Sequence, residues 1–200
     1  MLFLKDECFF SVLNNEVLNE CKRISCGIDD LDEFFEQDVD NYTQQLLGKS
    51  YCFRLQIDSS TIVCVFTVSN SKLRVRDLPS SRKERITKNI PFEKRFDGYP
   101  AVLIGRLGVN IDYQRKGIGN ELMEFIKNWF IDSDNKTGCR FIVVDALNSE
   151  KQEAINFYKK NGFEFIFSTE EYEKRYTKNG GDVKSMLFVL YMSIINIKES

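Results

Sequence analysis

Between Ala101 and Leu147 the hydrophobic pattern changes period twice, and that change limits the folds open to this chain. Ala101–Asn110 is a nearly continuous apolar run of strand length. Gly117–Ile131 then places Leu122, Phe125, Ile126 and Trp129 on one face at helical spacing. After the polar stretch Asp132–Gly138, Phe141–Leu147 is again strongly apolar. A strand, a loop, a helix and a second strand in this order predict an α/β arrangement with the two strands parallel. Glu150–Asn161 reads as a further helix and Phe163–Ser168 as a further strand.

The flanks read differently. Asp29–Leu47 has apolar residues near helical spacing, with Asp29 or Asp30 to cap it and Gly48 to end it. Tyr51–Ile57 and Thr61–Ser69 read as a hairpin around Asp58-Ser59-Ser60. Leu73–Gly98 is irregular, with a short helix from Ser80 or Ser81. Ser185–Ile195 reads as a last strand. The hairpin and the last strand add antiparallel pairs, so the expected fold is α/β with one mixed sheet. At 200 residues and 42% hydrophobic content, one domain spanning 1–200 is expected. No apolar run nears the roughly 20 residues of a membrane span, and no secretory signal opens the chain.

Composition removes much chemistry. There is no histidine, so His-based triads and nearly all catalytic zinc sites are excluded, and no metal is expected. Six cysteines lack CxxC spacing and read as reduced thiols in a cytoplasmic protein. Gly48-Lys49-Ser50 resembles the end of a phosphate loop, but Thr43 stands where its first glycine belongs. Asp132–Gly138 has Lys136 and Thr137 where a calcium loop needs an oxygen ligand and a glycine. Charge is uneven: Lys72–Arg95 carries nine basic residues against three acidic ones, in a chain whose net charge is −2. That segment reads as an anion-facing surface or as a solvated face.

The most informative stretch is Gly105–Gly119. A strand enters a short polar loop, and glycines then open a helix. This arrangement either aims unpaired N–H groups and a helix dipole at an anion, or is an ordinary strand-to-helix connection. Gln114-Arg115-Lys116-Gly117-Ile118-Gly119 fits the form Q/R-x-x-G-x-G/A, and Gly117 stands eight positions after Val109. Downstream, Asn148 and then Ala154–Phe163 fit N…A-x-x-F-Y-x-x-x-G-F. In these two motifs the sequence resembles the GNAT family of acetyl-CoA-dependent N-acetyltransferases, with the motif-bearing core at 101–168.

The resemblance implies a GNAT fold, a mixed and mostly antiparallel sheet with two splayed parallel strands and helices on both faces. It implies acetyl-CoA as co-substrate and an acyltransferase activity on an amine. Carried over by position, Leu107, Gly108 and Val109 would bind pantetheine and the acetyl carbonyl through the backbone. Gln114, Arg115, Lys116, Gly117, Ile118, Gly119 and Asn120 would bind the pyrophosphate. Asn148 and Asn156 would touch the cofactor or act as helix caps or solvated polar groups. Tyr158 would protonate the departing CoA thiolate, or else is a core tyrosine. The general base is a carboxylate acting through water, or there is none.

Two further stretches resemble the GNAT toxins of bacterial toxin–antitoxin pairs, which acetylate aminoacyl-tRNA. They are Cys26-Gly27-Ile28-Asp29-Asp30-Leu31-Asp32-Glu33-Phe34-Phe35 and Leu103–Val109. On that reading the basic segment 72–95 would meet tRNA. A generic small, peptide or protein amine is the other acceptor class, and a silent CoA-binding module is a third reading. The late strand Met186–Ile195 is long and apolar enough to pair across a homodimer.

Overall fold

The computed structural model describes residues 2–88, 90, 97–167, 169, 171, 173–174 and 181–190, with only the backbone of Asp77. Among the described residues, seven strands form a mixed sheet with one parallel pair, as the sequence reading anticipates. The chain divides into two compact units. The first holds residues 1–69 and 104–126, the second 70–103 and 127–200.

In the first unit the strand order is β1 (Cys8–Val12), β2 (Lys49–Leu55), β3 (Ile62–Arg74) and β4 (Gly98–Val109). Short helices α1 (Phe3–Glu7) and α2 (Asn15–Glu20) flank β1. Asn14 caps α2, its side chain accepting the Val17 N–H at 3.0 Å. β1 pairs antiparallel with β2, setting Phe10 opposite Phe53. Phe10 then meets the rings of Tyr51, Phe53 and Phe125 at 4.9–5.3 Å. The expected hairpin is β2–β3, and Asp58 builds its turn. One Asp58 oxygen accepts from the Ser60 N–H and hydroxyl, and the other from Thr61 and Lys22. These bonds hold the Asp58 carboxyl well below the usual carboxylate range.

The helix expected over 29–47 is α3 (Asp29–Glu33), a π-helical turn (Phe34–Asp38) and α4 (Val39–Gln44). The π turn buries both Phe34 and Phe35 among Leu13, Ile24, Cys26, Val39, Cys52, Ile62 and Val65. Gly48 does not end this helix. Leu46 does, in the left-handed region at φ 57°, with its side chain exposed. Gly48 instead allows a close approach: a Cβ there would stand 2.8 Å from the Val68 carbonyl oxygen and against the Tyr42 ring.

In the second unit the order is β4, β5 (Phe141–Leu147), β7 (Val183–Val189) and β6 (Glu164–Phe165). The Arg140 N–H donates to Pro100 at 3.0 Å, tying β5 to β4. β5 and β7 pair antiparallel from Phe141↔Val189 to Leu147↔Val183. Their core includes Leu73, Ile86, Tyr99, Phe141 and Leu187. Helix α5 (Ser80–Thr87) is the short helix expected within the irregular segment 73–98, α6 runs Ile118–Ile131, and α7 runs Glu153–Lys160. The strand expected over 163–168 shrinks to two residues. The apolar tail 191–195 and the basic residues Lys94 and Arg95 lie outside the described residues.

Gly48→Ala is expected to lower stability by about 1–3 kcal/mol, because backbone cannot retreat as a side chain can. Leu46→Gly is expected to be neutral or stabilising, since it relieves a left-handed leucine. Thermal melts of the two variants check this opposite pair of signs.

Candidate active site

The loop after β4 is built by its own side chains. The Asn110 N–H donates to Val63 and its Nδ2 to Ile62, both at 2.9 Å, while its Oδ1 accepts the Asp112 N–H at 3.1 Å. This pins the strand end and starts a 3-10 turn at Ile111–Tyr113. Upstream, the Arg106 N–H donates to Thr67 Oγ1 at 3.0 Å, and its guanidinium lies 3.7 Å over the Phe34 ring. Gly108 is buried against Cys26: a Cβ there would stand 2.4 Å from the Cys26 Sγ.

Gln114 turns its amide inward. Its Nε2 donates to the Cys26 carbonyl at 2.8 Å and to the Val109 carbonyl at 3.0 Å. Lys116 also turns back, reaching the Asp112 carbonyl at 2.7 Å and the Tyr113 ring at 5.3 Å. Arg115 is exposed and left-handed at φ 59°. Gly117 is left-handed at φ 87°, with nothing within 4 Å of where a Cβ would stand. Ile118 is buried beneath the first turn of α6, as are Leu122, Met123 and Ile126. The Gly117 carbonyl accepts the N–H groups of Asn120 and Glu121. The earlier N–H groups of a helix start have no intrahelical acceptor. Open space beside Gly117, next to such N–H groups and the positive helix end, suits an anion. Thus the charge here is largely that of the main chain, with Lys116 spent on the loop itself.

The second unit carries the other signature. Helix α7 ends at Asn161, whose Nδ2 donates to Phe157 at 2.9 Å. Gly162 follows at φ 82°, and the Phe163 N–H returns to the Tyr158 carbonyl at 3.0 Å. This glycine-terminated helix end packs the Phe163 ring 5.3 Å from the Tyr158 ring, with Phe157 at 5.2 Å. Among the described residues nothing hydrogen-bonds the Tyr158 hydroxyl, and burial pushes its pKa up to about 12. Asn148 uses its Nδ2 on the Gly181 carbonyl at 2.9 Å and its N–H on Asp182. Asn156 is exposed on α7.

Sequence reasoning missed Asp32. Its Oδ1 accepts the Cys26 N–H at 2.6 Å and its Oδ2 the Ser25 hydroxyl at 2.8 Å. Burial raises its pKa, but these bonds outweigh burial and the net shift is downward. The turn they hold therefore persists at neutral pH and loosens only as acid protonates Asp32 below the ordinary aspartate range. The aspartate in the Cys26–Phe35 stretch was the available signal.

Residues 86–165 match the family model for the acetyltransferase (GNAT) domain. A probable N-acetyltransferase of Drosophila melanogaster, san, is 41% identical over 69 residues, 34% of this chain and 35% of that protein. The chain thus matches about a third of the length of that curated relative. Among solved structures, AtaT complexed with acetyl-methionyl-tRNAfMet superposes with a TM-score of 0.71 at 19% identity, covering 96% of this chain and 99% of that one. AtaTR bound with AcCoA gives 0.68 at 21% identity, covering 96% and 99%. The KacTA–DNA complex gives 0.68 at 15% identity, covering 97% and 100%. These likenesses establish the GNAT fold.

All six cysteines are free, four of them buried, and burial raises their thiol pKa values, for Cys26 with the help of Asp32 to about 12. Iodoacetamide at pH 8 is expected to label the half-buried Cys21 and Cys139 slowly, and Cys8, Cys26, Cys52 and Cys64 only after unfolding. Mass spectrometry of the labelled protein reads this directly.

Proposed function

We propose that this GNAT protein transfers the acetyl group of acetyl-CoA to a primary amine. The observation that carries the proposal is the open, left-handed Gly117 at the start of α6. In this reading the N–H groups of the 114–120 loop hold the pyrophosphate, with Arg115 adding charge. The backbone of Leu107, Gly108 and Val109 serves pantetheine and the acetyl carbonyl. The Val109 carbonyl already accepts from Gln114, so this reading assigns the ligand to its N–H. A backbone N–H there would stabilise the oxyanion as the amine attacks the thioester.

Tyr158 donates to the departing sulfur. A phenol at about 12 facing a thiolate whose conjugate acid lies near 8.5 is about 5 kcal/mol too weak for free transfer. Its proton must therefore move late, as the attacking nitrogen sheds its own. In compensation, Tyr158 keeps its proton throughout the working pH range and always presents a donor. Asn148 has a backbone-holding task of its own, and Asn156 is the freer candidate for a cofactor contact. The free thiols fit a reducing compartment such as the cytoplasm.

A second observation favours an acceptor that carries phosphate. A groove of about 410 Å³ in the second unit is lined by Arg82, Arg85, Lys88 and Arg140 and, among the described residues, by one carboxylate, that of Glu164. Arg82 and Arg85 both pair with that carboxylate. The Arg85 pair is exposed and holds weakly, and one carboxylate shared between two arginines leaves charge for a phosphate to meet. With AtaT solved on acetyl-methionyl-tRNAfMet, aminoacyl-tRNA is the acceptor we propose to test first.

Thiol release from acetyl-CoA is expected in the presence of charged tRNA and not of uncharged tRNA. Tyr158→Phe should lower kcat by roughly 10²–10⁴ with little change in the acetyl-CoA KM. Arg82→Ala with Arg85→Ala should raise the KM for tRNA and flatten its salt dependence. Binding of acetyl-CoA without turnover on tRNA would send the search to small amines and peptides. Binding without turnover on any amine would leave a silent CoA module.

A further inference from the structure

The Cys26–Asp32 segment takes no part in the chemistry proposed above, yet it is bonded to the loop that does. Residues 25 and 26 hold that loop at two points. The Ser25 carbonyl accepts the Ile111 N–H at 2.8 Å, and the Cys26 carbonyl accepts the Gln114 Nε2 at 2.8 Å. The same Nε2 reaches the Val109 carbonyl, at the end of β4. Behind residues 25–27 stands one carboxylate. Asp32 binds the Cys26 N–H and the Ser25 hydroxyl with separate oxygens, and the Ser25 oxygen in turn accepts the Gly27 N–H at 3.3 Å. Gly27 completes the turn in the left-handed region at φ 77°. Gly108 completes the seat by leaving space for the Cys26 thiol.

We propose that Asp32 is a positioning residue for cofactor binding, acting through Cys26 and Gln114 on the loop whose N–H groups meet the pyrophosphate. The inference rests on the acetyl-CoA reading. It follows from matching donors to acceptors. Donors of residues 25–27 meet a carboxylate that only accepts, and two backbone carbonyls meet an amide that offers two N–H bonds. Asparagine at 32 would replace one acceptor oxygen by an N–H that faces the Cys26 N–H or forces the Ser25 hydroxyl to accept. Glutamate at 114 would turn an anion toward two carbonyls. Both substitutions keep the shape and reverse the sense of one hydrogen bond.

The test is a calorimetric titration of wild type, Asp32→Asn and Gln114→Glu with acetyl-CoA and with S-acetylpantetheine, which lacks the pyrophosphate. Ligand-free melts accompany it. Each variant is expected to bind acetyl-CoA at least about tenfold more weakly than wild type. The loss for S-acetylpantetheine should be clearly smaller than that for acetyl-CoA, and the Tm should stay within a few degrees of wild type. Gln114 is exposed, so Gln114→Glu keeps the test open if Asp32→Asn fails to fold. Unchanged acetyl-CoA affinity in the variants overturns the positioning role. An equal loss for both ligands also overturns it, because that is the mark of general loosening. Failure of wild type itself to bind acetyl-CoA would instead remove the reading on which the inference rests.

Discussion

A single side-chain amide, that of Gln114, joins segments that lie 88 residues apart in sequence. It satisfies the last carbonyl of β4 and a carbonyl of the turn before α3, and so fixes where the strand stops and where the loop begins. Everything that follows depends on that junction. Asn110 can pin the strand end to β3, the 3-10 turn can form, and Gly117 can sit beside open space only because the chain leaves β4 in one direction. Neutral hydrogen bonds of this kind stabilise modestly, about 1 kcal/mol each. Their value here lies in geometry, since an unbonded carbonyl would leave the loop several ways to turn.

The two family signatures do different physical work. On the acetyl-CoA reading, the first would offer few side chains to a ligand. Gln114 and Lys116 are occupied with the loop, and what remains is main chain and Arg115. Such a surface recognises an anion by its charge and shape. The second signature is a helix terminus. Asn161 and Gly162 stop α7, and Phe163 folds back against Tyr158. The phenol is thereby held by two aromatic rings and leaves its hydroxyl without a protein hydrogen bond among the described residues, which suits a group whose partner is meant to arrive with the substrate.

Much of this was legible in the sequence because the relevant signals are local. β5, the β2–β3 hairpin and α6 follow from period and turn residues, and β5 falls at the expected limits. The N-terminal elements did not show themselves. α1 and β1 are five residues each, too short for a period, and β1 exists because Phe10 fits the aromatic cluster with Tyr51, Phe53 and Phe125. Gly48 was misread because a helix-stopping glycine and a close-packed glycine look alike in sequence. The loop residues could be read as one turn from their glycines, but the inward turn of Gln114 was hidden. Its partners are backbone carbonyls, and every residue has one. Asp32 was hidden for the same reason, with a backbone N–H as its main partner.

The unusual proton inventory of the chain has one more consequence. It has no histidine, and burial drives its thiols away from neutrality. The side chains that ordinarily change charge between pH 6 and 9 are therefore missing or silenced. The protein offers a nearly constant electrostatic background across that span. On the acetyl-transfer reading, an inflection in rate near neutrality would therefore point away from this chain's side chains and toward the ligands, the acceptor amine among them.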